Sequence, residues 1–301
     1  MASFWTHRGI AELQSFGFRG VGLNGSTLAG FHVLLVRAGT LTWRESETVG
    51  SVAIDLPPGV AYSTGFLPRS PGTWSIAAAG GSTLAVQARV AAPVAMVAAQ
   101  AFDLAGVALA LGTAPSDPLL AVLDLPRCAV SPRQTLAIAG ASIGLGPVAN
   151  GTAFATSAGT ETLLHLALNG ATPGGTPSAW GVGLIGSAFT PPAHPGGWSL
   201  THGDVSPHLI AAGAFDRALE VPRAAGAWSI TPGTATTAGV AKPTSPMTFA
   251  YVGGQAVEVA SLALFAGLPQ IAEPMLLVAL DATHELLPGA TVSLAFGGSQ
   301  P

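Results

Sequence analysis

The chain has 301 residues, a formal net charge of −4 and only 9% charged residues. A nucleic-acid-binding face needs clustered cations to release counterions, and scattered arginines with the single Lys242 do not supply one, so direct DNA or RNA binding is excluded. With 49% apolar residues and a mean hydropathy of +0.52 the chain buries enough surface to offset its conformational entropy, which excludes disorder, and its length favours two domains over one.

Taken from the N-terminus, Met1-Ala-Ser-Phe-Trp-Thr-His-Arg has no basic region followed by an apolar core, so no secretory signal is read and synthesis in the cytoplasm is expected. Thr6 is placed to cap one helix of about three turns at most, with Ile10, Leu13 and Phe16 or Gly17 on one face. Beyond it 39 Gly and 24 Pro recur every few residues, leaving short apolar or alternating runs at 31–36, 119–123, 135–139, 163–168, 275–280 and 291–295. Many short strands with turn signals between them predict an all-β, antiparallel, sandwich-like fold rather than βαβ units. The weakly polar stretch 90–112 carries Pro93, Gln100 and Asp103 and is rich in Ala, so no membrane-spanning helix is expected. Cys128 has no internal disulfide partner; a buried inert thiol is the ordinary expectation, with a reactive thiol beside Arg127 as the alternative.

An internal repeat organises these elements. Pro68-Arg69 and Gly72-Thr-Trp-Ser-Ile76 return as Pro222-Arg223 and Gly226-Ala-Trp-Ser-Ile230, 154 residues on. Asp117 to Asp124 is echoed by Glu273 to Asp281, which pairs Asp124 with Asp281, and Leu23-Asn-Gly-Ser-Thr27 by Leu168-Asn-Gly-Ala-Thr172, 145 residues on. The expectation is two tandem similar β-sandwich-like domains, 1–147 with the N-terminal helix and 163–301, joined by a linker at 148–162. Trp74 and Trp228 read as core plugs, with sugar stacking as the alternative. Asp124 and Asp281 read as strand-end turn acceptors, with paired catalytic carboxylates as the alternative.

Little in the sequence points to reaction chemistry. His194, His202 and His208 with Asp204 are the only local group of ligand types, and their gaps of eight and six fit an ordinary loop better than a zinc site. No nucleophile elbow, zincin, phosphate-loop or calcium-loop pattern occurs, and Gly80-Gly81 and Gly297-Gly298 lack the context of a dinucleotide fingerprint. No enzyme, metal or cofactor is expected.

The ordered segments Thr6-His7-Arg8-Gly9, Phe31 to Val36, Gly59-Val-Ala-Tyr-Ser-Thr-Gly65, Trp74, Gly80-Gly81, Leu119 to Asp124 and Gln134 to Ile138 resemble small virion structural proteins of tailed bacteriophages. The resemblance covers about the first 145 residues, with His7 in place of the usual Asn. The second copy lacks the T-x-R-G opening and the turn Tyr. What the resemblance implies is a virion protein of the head decoration or head-spike base type, in a tailed phage or a phage-derived gene transfer agent. The partners it implies are capsid, spike or fibre subunits and further copies in a homo-oligomer, with host-surface glycan contacted only indirectly and no membrane. A tail tube, baseplate or fibre-attachment component, or a carbohydrate-binding adhesin, are the other readings. Because the helix and the aromatic pair before it look unduplicated, Phe4, Trp5 and Arg8 are expected to bind a partner, and removal of residues 1–9 is expected to leave both β domains folded.

Overall fold

A computed structural model describes residues 4–37, 48–53, 56–78, 85–139, 142–146, 149–150, 153–192, 196–233, 239–296 and 298–300. The chain is mostly strand, in several antiparallel sheets. It begins with β1 (Phe4–Trp5), α1 (His7–Arg19), β2 (Gly30–Arg37), α2 (Gly50–Ala53), β3 (Gly65–Pro68), β4 (Trp74–Ala78) and β5 (Val86–Val90). Next come β6 (Val94–Val97), β7 (Phe102–Ala110), β8 (Leu119–Val130), β9 (Thr135–Ile138) and β10 (Ser142–Leu145). The later part has β11 (Ala149–Asn150), β12 (Ala153–Ala155), α3 (Ser157–Leu164) running into a π-helical turn (His165–Asn169), β13 (Ala179–Gly186) and α4 (His202–Val205). It continues with β14 (Glu220–Pro222), β15 (Trp228–Thr231), β16 (Gly239–Pro243), β17 (Met247–Ala250), β18 (Val257–Phe265), β19 (Pro274–Leu286), β20 (Thr291–Leu294) and β21 (Gly298–Gln300).

The sheets come in matching sets. The order β1-β8-β7-β2-β3 recurs as β12-β19-β18-β13-β14, with β11 added at the outer edge, and β10-β5-β4 recurs as β21-β16-β15. The pair β6-β9 recurs as β17-β20. Register irregularities recur too: after Val36 and after Ile185, between Leu104 and Gly106 and between Val259 and Ser261, and after Leu109 and after Leu264. A bulge is a specified feature of a strand pair, so its recurrence at matching places is a sharper sign of a common template than strand order alone.

Alternation sets which side chains face inward. In β2, Phe31, Val33 and Leu35 enter a core shared with Trp74, Ile76, Val86 and Ala88 of the three-stranded sheet and Met96, Leu136 and Ile138 of the pair. In β13, Trp180, Val182 and Leu184 do the same with Trp228, Ala241 and Phe249. Tyr62, 1% exposed, places its hydroxyl where it accepts the Leu35 N–H at 2.9 Å, and burial pushes its pKa up to about 12.

The structure corrects several details of the sequence reading. The stretch 148–162, read as linker, holds β11, β12 and most of α3, which runs on to Leu164, so the N-terminal helix has a counterpart. Thr6 and Thr156 both cap: their hydroxyls accept the N–H of Gly9 (2.8 Å) and Gly159 (3.0 Å) and donate to the carbonyls of Leu119 and Pro274. A Cβ on Gly9 or Gly159 would collide with the Leu120 or Met275 carbonyl, at 1.9 and 2.2 Å, so glycine is what lets each helix start against its strand. The sequence match that hid this equivalence was Leu23 with Leu168. In space Gly20 (φ 79°) and Gly170 (φ 81°) are the paired C-caps, so the offset there is 150, not 145. Asp124 is not equivalent to Asp281 either: it lies across from Gly106, and the matching pair is Ala279 across from Ser261. Asp281 falls inside a bulge one residue longer than its counterpart. Among the described residues no helix is long and apolar enough to cross a membrane.

Candidate functional site

The helices join the two parts of the chain by crossing over. α1 packs on β15 and β16, and α3 with its π turn packs on β4 and β5. Phe18 belongs to the later core, stacked on Trp228 at 4.7 Å between ring centroids and edge-on to Trp180 at 5.3 Å. Reciprocally, Leu164, Ala167 and Leu168 belong to the earlier core. The paired Pro-Arg sites lock the exchange. Arg69 donates from Nε to the Ala167 carbonyl (2.7 Å) and from a terminal nitrogen to that of Leu166 (2.5 Å), while Arg223 donates to Gly17 (2.7 Å) and Phe16 (2.7 Å). These carbonyls lie in the last turns of the two helices, where the macrodipole also favours a cation. Burial and the neighbouring Arg223 lower the Arg69 pKa to about 10, which still leaves it charged at neutral pH.

Around this seam the two parts differ. Asn169, 3% exposed, accepts the Trp74 N–H and donates to the Trp74 carbonyl, both at 3.0 Å. At the other end Arg19 donates to the Ala225 carbonyl at 3.0 Å. Replacing Arg223 by Ala removes both of its bonds, leaving the Phe16 carbonyl with only the Gly20 N–H; a loss of about 2 kcal/mol is expected from two charge-assisted bonds at a half-buried site, read by chemical denaturation. Arg69→Ala should cost a similar amount.

His165 adds a pH dependence to the seam. Its side chain is 13% exposed and touches Asn169, and burial lowers its pKa more than the nearby Glu161 raises it. The unfolded chain therefore takes up this proton first as pH falls below about 6.5, and stability drops there. The stability difference between wild type and His165→Gln should shrink as pH falls below that value; a difference that stays constant to pH 5 would contradict the assignment.

The expected partner-binding residues fall elsewhere. Trp5 is 5% exposed and packs in the earlier core, which corrects the expectation of an exposed aromatic pair, and Phe4 pairs in β1 across from Val122. The counterpart of this strand is Phe154-Ala155 in β12, which pairs with β19 as β1 does with β8. Arg8 is a third exposed and pairs with Glu12 at 3.1 Å; Glu12 is itself buried and accepts the Leu23 N–H at 2.9 Å. Trp74 and Trp228 are both core residues. Cys128 is exposed on β8, against the expectation of burial.

The histidine loop does not assemble a metal centre among the described residues. His194, like Gly80, Gly81 and Gly297, lies outside them. His202 sits against the Pro269 carbonyl (3.1 Å) while its backbone N–H donates to Glu273 (2.6 Å). His208 lies on Phe189, and Asp204 closes a capping box with Thr201.

A cleft of about 880 Å³ opens over the outer face of β13, bounded by 172–179, 206–220 and the β18–β19 hairpin. Its polar lining includes Thr162, Ser178, Ser206, Gln270 and two carboxylates, Glu220 and Glu273, and no Lys, Arg or His lines it among the described residues. At the matching place in the earlier part, His32 lies across from Phe66 and packs against it edge-on at 5.4 Å. In the later part Gly181 lies across from Glu220. The aromatic pair is thus replaced by a glycine and an acid. No motif in the sequence marks this cleft. The Pro-Arg repeat, by contrast, was visible as a signal for Arg69 and Arg223. Comparison with family models, curated proteins and solved structures returned no match.

Proposed function

We propose that this chain is a non-enzymatic structural protein of a virion, carried on the head surface of a tailed phage or gene transfer agent as a decoration or spike-base subunit. The two runs through one order of strands are read as a tandem duplication of a β-sandwich-like unit. The observation that carries the proposal is that the segments behind the resemblance are framework residues. Thr6 and Gly9 start α1 against β8, Tyr62 ties its turn to β2, Trp74 opens β4 in the core, and 119–124 and 134–138 lie in β8 and reach β9. A likeness built on framework supports a shared architecture, and a charge-poor surface supports burial against neighbours.

The test is location. Particles purified from a producing strain should contain this chain, and separated heads should retain it. Recovery in tails would favour the tail-component reading, and absence from particles would refute the virion role. The adhesin reading requires binding of the purified chain to immobilised glycans.

A further inference from the structure

We propose that copies of this chain associate head to tail, an apolar and basic knob on the first part of one copy seating in the acidic cleft on the second part of the next. This rests on the structural-assembly reading and names the contact.

The knob is built from three strands' ends. Val60, 73% exposed, tops the turn 57–62, which runs beside Val97, 46% exposed, through bonds from Ala99 to the Ala61 carbonyl and from Ser63 to the Val97 carbonyl. Arg133 adjoins them, its N–H donating to the Ala98 carbonyl at 2.7 Å. Arg133 is the one non-glycine with positive φ among the described residues, at 67°. The matching position in the later part is Gly289, φ 80°, whose N–H makes the equivalent bond to Tyr251. A side chain is thus held where glycine fits without strain, and its guanidinium makes no hydrogen bond or ion pair within the described residues. Unrelieved strain at an exposed, unpaired cation is explained by something the cation meets outside the fold.

The cleft supplies the complement. The Glu220 carboxylate makes no hydrogen bond or ion pair within the described residues, and Leu268 (60% exposed) and Ile271 (79%) stand on the neighbouring β18–β19 hairpin. The equivalent hairpin of the earlier part is Thr113-Ala-Pro-Ser116, closed by Asp117 on the Ala114 N–H, and presents no large apolar side chain. Charge is divided the same way: residues 1–147 hold eight Lys and Arg against seven Asp and Glu, and 163–301 hold three against seven. Knob and cleft are built from different residues of one chain, so the contact is heterologous and propagates into a ring or a filament.

The test is sedimentation of the full-length protein over a concentration series at low and high salt. The weight-average mass should rise above the 29.9 kDa of one chain at low salt and fall back as salt screens the pair. Arg133→Glu and Glu220→Arg should each weaken association about tenfold or more, and the double reversal should recover most of the loss. Arg133→Gly should raise Tm by relieving strain while weakening association, which separates contact from folding. A single 29.9 kDa species at every concentration, or association indifferent to both reversals, overturns the proposal. So does a monomer whose cleft binds maltohexaose. Monomeric protein that still enters particles would fail this contact alone, and self-associating protein absent from particles would fail only the virion role.

Discussion

Removing residues 1–9 is expected to unfold the protein rather than to release two intact domains. The deletion takes Trp5 from the earlier core, the Thr6 cap and its bonds to Leu119 and Leu120, and Gly9 at the close approach to β8. Truncating a buried Trp costs about 3–5 kcal/mol and losing a cap about 1 kcal/mol, which together approach the 5–15 kcal/mol that holds a typical domain. Because α1 also carries Phe18, damage at its start reaches the later core. Circular dichroism and thermal melting of the truncated chain read the outcome directly; a native spectrum with a melt like that of the full chain would contradict it.

The second large effect is at Phe18. Phe18→Ala should cost about 3–5 kcal/mol, and Trp228→Ala a similar amount, because each ring fills space that neither backbone can close. Stacked at 4.7 Å, the two rings are coupled, so the double variant should lose about 0.5–1.5 kcal/mol less than the sum of the singles. The informative readout is the shape of the transition. Phe18 is encoded in the earlier part and buried in the later core, so one cooperative transition should shift as a whole. A variant that melts in two steps, with the earlier part unmoved, would show that the helix crossing does not couple the two cores.

Five of the six apolar runs were legible as strands because they are short and bounded by turn residues; the sixth, 163–168, is instead the end of α3 and the π-helical turn, since a short apolar run carries no periodicity that separates a strand from a buried helix. Trp74 and Trp228 were legible because large aromatics in small surroundings belong in cores. The second helix was not, since Thr156-Ser-Ala-Gly159 shares only Thr and Gly with Thr6-His-Arg-Gly9 and sits in a run of small residues that reads as a loop. That one omission made the N-terminal segment look unpaired and Trp5 look free. The Pro-Arg repeat marked Arg69 and Arg223, but their role and that of Asn169 were unreadable because their partners are backbone carbonyls and N–H groups 95 to 207 residues along the chain, which no spacing rule reveals. The cleft escaped for the opposite reason: it is made by what β13 lacks.

The crossing of the helices also sets a timetable for synthesis. When α1 leaves the ribosome its resting place does not yet exist, since Arg223, which holds its C-terminal carbonyls, is 206 residues downstream of Gly17. At about 5–20 residues per second that is a wait of roughly 10–40 s, during which Phe18, whose core neighbours all lie downstream of residue 162, has no permanent cover. Throughout that interval the nascent chain depends on transient shielding of the helix, and a ribosome that stalls between β14 and β16 leaves a product whose first strands are paired and whose core is open.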